Sequence, residues 1–204
     1  MIKNIVFDFG DVFINLDKEA TILELHALGV KEITDSMVDI YQGYEIGKYS
    51  TKEFTAEFTA MFPEISSEEF IRSWNAILKD FPLHRLEFLK ELTASNKYRL
   101  FLLSNTNDLH IKWIQQDWGL ELYEEFKSCF EQFYLSHEIE MRKPNADIYE
   151  YVLNENNLAA EETIFIDDTK ENTDAANALG IKVWNINPAS EDVVNLLAQK
   201  EFNR

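Results

Sequence analysis

Asn4-Ile-Val-Phe-Asp-Phe-Gly-Asp-Val-Phe-Ile-Asn-Leu16 is the stretch that fixes how the rest of the chain is read. Ile5, Val6 and Phe7 are consecutive β-formers without polar alternation, the pattern of a strand covered on both faces of a parallel sheet. Asp8 follows directly, and a carboxylate at the end of such a strand stands at the sheet's C-terminal edge, where open α/β sheets bind ligands. Asp8 with Gly10 also fits an ordinary turn. Both readings stay open here, and later segments weigh between them.

From Asp17 to about Asp80 the pattern becomes helical, with Ile22, Leu25 and Leu28, then Met37, Ile40, Tyr41 and Tyr44, at three- and four-residue steps. Ser50 and Ser66, each followed by an acidic first turn, read as helix caps. The expectation is a small unit of four short helices, residues 17–80, inserted after the first strand. From His84 an amphipathic helix leads to Tyr98–Ser104, a buried-strand run closed by the polar Asn105-Thr106-Asn107. A helix is expected over Asp108–Asp117, a β-rich run over Phe130–Leu135 and a helix opened by Lys143-Pro144. A strand Thr163–Ile166 then ends in Asp167-Asp168, a helix runs to Leu179, Ile181–Ile186 is a last strand, and Glu191–Lys200 a closing helix. Strands alternating with helices at this spacing predict a parallel sheet covered on both faces. The fold class is α/β, with a core of residues 1–16 and 81–204.

The 204 residues, 46% hydrophobic, suffice for a packed core. The net charge of −18, from 19 Lys and Arg against 37 Asp and Glu, repels nucleic acid and anionic lipid. A phosphate-bearing ligand must then be small and locally neutralised by a cation. One cysteine, Cys129, permits no internal disulfide. The Ile5–Phe7 run is too short for a signal segment and no stretch reaches the length of a membrane span, so the expected location is cytoplasmic. No obligate protein partner is evident.

Three strand ends converge on one edge of the expected sheet: Asp8, Ser104 with Asn105, and Asp167 with Asp168, with Lys143 between the last two in sequence. Two or three carboxylates, a lysine and a hydroxyl suit Mg²⁺ and phosphate, because Mg²⁺ takes few protein carboxylates and leaves positions for water and phosphate oxygens. The same set suits an aspartate nucleophile whose repulsion from phosphate is cancelled by metal and lysine. Taken singly, Lys143 reads as a solvated lysine, Ser104 as a strand-end cap and Asp167-Asp168 as a helix start; their order along one edge favours the joint reading.

Phe-Asp-Phe-Gly-Asp-Val, Leu-Ser-Asn-Thr-Asn, Met-Arg-Lys-Pro and Asp-Asp-Thr-Lys-Glu-Asn together resemble the haloacid dehalogenase superfamily, in the branch of sugar phosphatases that includes α-D-glucose-1-phosphate phosphatase. The resemblance implies a Rossmann-like core with a helical cap inserted after strand one. It implies Asp8 as nucleophile, with Mg²⁺ on Asp8, the Gly10 carbonyl and Asp168. It implies Ser104, Asn105 and Lys143 on the phosphate, and Asp167 as a secondary carboxylate. Phosphatases of the superfamily usually carry a second Asp two residues after the nucleophile as general acid and base, whereas Gly10 stands there and cannot transfer a proton. Asp11 is the neighbouring substitute or a turn-stabilising residue. The sugar-phosphatase branch shares the glycine.

The expected function is therefore a Mg²⁺-dependent phosphatase of small phosphorylated metabolites, sugar phosphates such as hexose 1-phosphate. The alternatives are a phospholigand-binding protein without turnover and a sugar phosphomutase. Gly43–Ser50 has the wrong glycine spacing for a phosphate loop and reads as a helix-helix turn. Tyr44, Lys48 and Trp74 could face the site but suit the insert's core. The four histidines lack metal-ligand spacing, and only His110 lies near the Ser104 loop.

Overall fold

Five short strands, β1 (Asn4–Phe7), β2 (Arg99–Ser104), β3 (Gln132–Leu135), β4 (Thr163–Asp167) and β5 (Lys182–Asn185), all pair in parallel in the order β3-β2-β1-β4-β5. This is the architecture of the computed structural model, which describes residues 1–200 and 202. Alternation along β1 sorts its side chains between two cores. Ile5 and Phe7 join Leu100, Leu102, Ile164 and Ile166 on one face, while Val6 joins Phe101, Leu103 and Phe165 on the other. Each fully buried side chain of this size contributes roughly 1.5–3 kcal/mol, which explains why the first strand tolerates no polar alternation. The strand order reverses between β1 and β4, and the crevice at such a point is where open α/β sheets take ligands.

Four helices follow β1: α1 (Ala20–Ala27), α2 (Asp35–Glu45), α3 (Thr51–Met61) and α4 (Ser67–Asn75). Both serine caps close reciprocally. The Glu53 main-chain N–H donates to Ser50 Oγ (3.3 Å) and the Ser50 N–H to Glu53 Oε2 (2.8 Å), with Glu69 and Ser66 doing the same at 3.2 and 2.9 Å. These helices have an aromatic core of their own, in which Tyr44 stacks on Phe54 and Phe58 on Phe70 at 4.1 and 3.8 Å between ring centroids. Chain entry and exit run side by side: Asn15 N–H donates to the Asp80 carbonyl (2.9 Å), Lys79 N–H to Asn15 (3.0 Å) and Asp17 N–H to Ile77 (2.8 Å).

The helical unit is seated firmly on the sheet side. Gly47, at φ +72°, lies so close to the His137 carbonyl that a Cβ would stand 2.3 Å from its oxygen. The Leu109 N–H donates to Tyr44 Oη (3.1 Å), Thr51 Oγ1 to Asp108 Oδ2 (2.5 Å), and Arg142 pairs with Glu45 at 3.2 Å.

The remaining helices are α5 (Leu83–Ala94), α6 (Asp108–Trp118), α7 (Leu120–Ser128), the single turn α8 (Ser136–Ile139), α9 (Ala146–Glu155) and α10 (Lys170–Ala178). Two segments differ from the sequence expectation. Helix α7 was not anticipated; Gly119 (φ 82°, ψ 145°) breaks it from α6, and Tyr123 and Phe126, three residues apart, anchor it in the core. The closing α-helix at Glu191–Lys200 is instead a 3₁₀ segment over Val193–Ala198. Val193 and Leu196 are fully buried at a spacing of three, which matches three residues per turn, and Asp192 is pinned by His84 and Arg85 of α5 at 2.9 and 3.3 Å. Among the described residues no helix is long and apolar enough to cross a membrane.

Candidate active site

β1 delivers Asp8 and β4 delivers Asp167 to either side of the crevice where the strand order reverses. Lys143 reaches between them, its Nζ 2.7 Å from Asp8 Oδ1 and 2.7 Å from Asp167 Oδ2, with only 1% of its surface exposed. The ammonium also lies 5.2 Å from the centre of the Phe165 ring. Asp167 is fully buried and fixed from three directions: it accepts from Lys143, from Asn172 Nδ2 (3.0 Å) and from the Thr169 N–H (2.7 Å). Both of its oxygens thus accept hydrogen bonds from neighbouring groups.

Asp168 faces outward and pairs with Lys18, whose Nζ also lies 3.1 Å from Asp11 Oδ2. Asp11 adopts φ 55° and its Oδ1 accepts from the Leu16 N–H at 2.9 Å. Its carboxylate therefore closes the turn after β1, which is the turn-stabilising role. The space beside Gly10 is filled by an apolar side chain. Leu16 covers that position, and a Cβ on Gly10 would stand 2.6 Å from Leu16 Cδ1.

Ser104, at the end of β2, lines the same pocket, a cleft of about 400 Å³ that also holds Asp8, Gly10, Lys143 and Asp168. The side chain of Asn105, next along the same loop, is bonded to the main chain of Lys143. Its Nδ2 donates to the Lys143 carbonyl and its Oδ1 accepts from the Lys143 N–H, both at 2.9 Å. The amide is consumed in this pairing and holds the lysine's main chain, because peptide-like groups satisfy each other best in such a two-bond contact. Lys18, Asn172 and Thr169 were missed in the sequence. Asn172 stood in the Asp-Asp-Thr-Lys-Glu-Asn stretch, five residues past the strand end and thus on the first turn of α10, but a lone lysine such as Lys18 carries no comparable signal.

Electrostatics define what the cleft lacks. Burial, with Asp167 adding to it, pushes Asp8 up to about 7 against the opposing pull of Lys143, and burial also raises Asp168 against Lys18. Lys143 stays protonated: burial opposes its charge, but Asp167 and Asp8 together outweigh it. The cleft thus gathers four carboxyl groups, Asp8, Asp11, Asp167 and Asp168, around the two ammonium groups of Lys18 and Lys143. Asp8, Asp167 and Asp168 each offer an oxygen, all within 4.8 Å of one another, so they could hold a metal ion, and hard oxygen donors of this kind suit Mg²⁺.

A parallel sheet with a buried aspartate at one strand end, an acidic pair at the neighbouring strand end and a lysine between them defines a class. The family of haloacid dehalogenase-like hydrolases matches residues 5–186, and the chain belongs to it. Among individual relatives, a D-ribitol-5-phosphate phosphatase of Bacteroides thetaiotaomicron is 28% identical over 191 residues, covering 90% of this chain and 91% of the relative. A haloacid dehalogenase-family enzyme of the same organism, solved as an aspartate-to-alanine variant with magnesium and inorganic phosphate, superposes with a TM-score of 0.84 at 32% identity, covering 98% and 100% of the two chains. A hydrolase of this type from Porphyromonas gingivalis gives 0.83 at 29%, again covering 98% and 100%. The chain is a phosphatase-type hydrolase of this family, and the Bacteroides thetaiotaomicron enzyme is solved with magnesium bound.

His110 has a structural task. Its Nε2 lies 3.3 Å from the Trp74 carbonyl and its Nδ1 3.2 Å from Asn107 Nδ2, while its ring stacks on Trp74. A neutral ring with its proton on Nε2 satisfies both contacts, whereas a proton on Nδ1 would face the Asn107 amide donors. Burial accordingly holds its pKa down, to about 4. A base depressed in the folded state contributes stability that is present above the unfolded pKa of about 6.5 and is lost as pH falls toward 4. The urea midpoint of the natural protein should therefore drop more between pH 7 and pH 5 than that of His110→Gln. Equal drops would remove His110 from this role.

Proposed function

We propose that the protein is a Mg²⁺-dependent phosphatase of small phosphorylated metabolites that works through an aspartyl-phosphate on Asp8, with residues 17–80 acting as a cap over the catalytic core. The observation that carries this reading is Lys143, buried between Asp8 and Asp167 at 2.7 Å from each. Mg²⁺ would be held by Asp8, the Gly10 carbonyl and Asp168, and when bound it supplies charge stabilisation for the phosphoryl oxygens. In the first step the Asp8 carboxylate attacks phosphorus, the ester P–O bond breaks, and the alcohol leaves, taking its proton from water. Water then attacks the phosphorus of the acyl-phosphate, inorganic phosphate departs and the carboxylate is restored. Lys143 lowers the repulsion between nucleophile and dianion, Ser104 and the main chain at Asn105 hold the remaining phosphoryl oxygens, and Asn105 and Asp167 keep the lysine in place.

Gly10 leaves the departing oxygen without a side-chain acid, and general acid catalysis is typically worth about 10²- to 10⁴-fold. The rate should then depend steeply on leaving-group pKa in a series of phosphate esters. This favours acidic alcohols such as the anomeric hydroxyl of a hexose 1-phosphate, and sugar phosphates are also the class that the ribitol-phosphate relative supports. Gly10→Asp, which must displace Leu16, should flatten the dependence; a flat series in the natural protein would mean that another donor acts. The test of the reading as a whole is phosphate release from an activated aryl phosphate with and without Mg²⁺. Asp168→Asn should raise the Mg²⁺ concentration for half-maximal rate at least several-fold, and an unchanged requirement would exclude Asp168 from the metal site.

A further inference from the structure

A second cavity, of about 380 Å³, lies among the cap helices beside the catalytic cleft, and Lys18 and Tyr41 line both. Twelve of its sixteen wall residues are apolar or aromatic, Leu25, Met37, Ile40, Phe54 and Phe58 among them. The four polar ones each hold at least one bond to a neighbouring group, and Tyr41 adds a hydroxyl where the chamber adjoins the catalytic cleft. Lys18 is bonded to Asp168 and Asp11, Glu45 to Arg142, Thr21 Oγ1 to the Trp74 carbonyl, and His110 to Trp74 and Asn107. A sugar hydroxyl in this chamber would exchange water for apolar walls, and an unpaired buried hydroxyl is costly. Ile22, Ile33 and Met61, also in the wall, are among the large apolar side chains left most exposed, so the chamber reaches the cap's outer surface. Leu16, over Gly10, adds an apolar side chain to the lining of the catalytic cleft.

We propose that this chamber receives the alcohol portion of the substrate, and that the preferred substrate is a phosphate monoester of an alcohol with an aliphatic tail. This selects an aliphatic alcohol over a sugar within the phosphate monoesters, against the preference that leaving-group acidity alone would give, and rests on the reading of the Asp8 cleft as the phosphoryl-transfer site. Its size is within the range of small-molecule sites, which are mostly apolar with a few placed polar groups. At roughly 30 Å³ per water-sized group, the chamber takes a chain on the order of ten carbons. The tail makes no bonds in the reaction; its burial assists catalysis by holding the ester in place over Asp8.

The test is kcat/KM with Mg²⁺ for n-alkyl phosphates from ethyl to decyl, with ribitol 5-phosphate for comparison, together with calorimetric binding of the same esters. The leaving alcohols beyond propyl have nearly equal pKa, so a trend there reports burial and not leaving-group acidity. Both affinity and kcat/KM should rise roughly three- to fourfold per methylene until the chamber is full. Ile22→Trp and Ile33→Trp, two half-exposed wall positions, should cut the rise short at fewer carbons, so that within each variant the ratio of decyl to butyl phosphate in kcat/KM falls well below that of the natural protein. Hydrolysis of short esters with no gain from chain length, or a preference for ribitol 5-phosphate over every alkyl ester, would overturn the chamber's role while sparing the phosphatase reading. Binding that tightens with chain length and shortens in the tryptophan variants, without hydrolysis of any ester, would uphold the chamber and overturn the phosphatase reading.

Discussion

Asp8→Asn is expected to lower kcat by on the order of 10⁴-fold or more, the scale seen when a covalent nucleophile is removed, without loss of the fold. The amide has the carboxylate's shape but neither its nucleophilicity nor its charge. Stability should hold, and the reason lies in the cleft's electrostatics. Burial raises Asp8 to about 7, so its ionised form is disfavoured in the folded protein before a cation arrives. A carboxyl whose pKa is raised on folding opposes stability above that pKa. The melting temperature of Asp8→Asn at pH 8 without Mg²⁺ should therefore equal or exceed that of the natural protein. Turnover close to the natural rate in a fresh preparation would remove Asp8 as nucleophile, and a collapse of the melting temperature would make the variant uninformative about chemistry and the electrostatic account wrong.

Lys143→Met is expected to damage both activity and stability. The ammonium is the shared partner of Asp8 and Asp167, and removing one member of a buried ion pair typically costs about 3–5 kcal/mol because the remaining charge is left unpaired. For a chain of this size that corresponds to a fall of roughly 6–20 °C in melting temperature. Loss of charge stabilisation at the phosphoryl group should lower kcat by about 10²- to 10³-fold. Mg²⁺ should restore part of the lost stability in the variant, since it binds the folded cleft and not the unfolded chain. An unchanged melting temperature would show that Lys143 is not the partner that permits two buried carboxylates to coexist.

Much of this site was legible in the sequence because strand ends are legible. Ile5–Phe7, Leu100–Leu103 and Ile164–Ile166 are apolar runs too short for helices, so the sequence alone puts Asp8, Ser104 and Asp167 on one edge. The haloacid dehalogenase resemblance then gave these residues roles that the family match supports at the level of the fold and the phosphatase class. What the sequence did not carry was pairing at long range. The resemblance puts Asn105 with Ser104 on the phosphate, and only the fold shows its side-chain amide closed on the main chain of Lys143, 38 residues away. Lys18, in the turn before α1, is tied to Asp168 by a separation of 150 residues, which no local pattern encodes. Helix α7 was hidden by Gly119 and by a run rich in aromatics, and the terminal 3₁₀ segment by a helical period that its burial at every third residue overrides.

The claim on which the rest depends is a covalent phosphoryl group on Asp8. Turnover of an aryl phosphate with Mg²⁺ should be quenched in acid and the peptides analysed by mass spectrometry, with hydroxylamine treatment of a parallel sample. The peptide containing Asp8 should gain the mass of one phosphoryl group, lose it to hydroxylamine as an acyl-phosphate does, and show no gain in Asp8→Asn. A phosphoryl group on another residue such as Ser104, or none on Asp8 when turnover is fast and dephosphorylation is rate-limiting, would contradict the account.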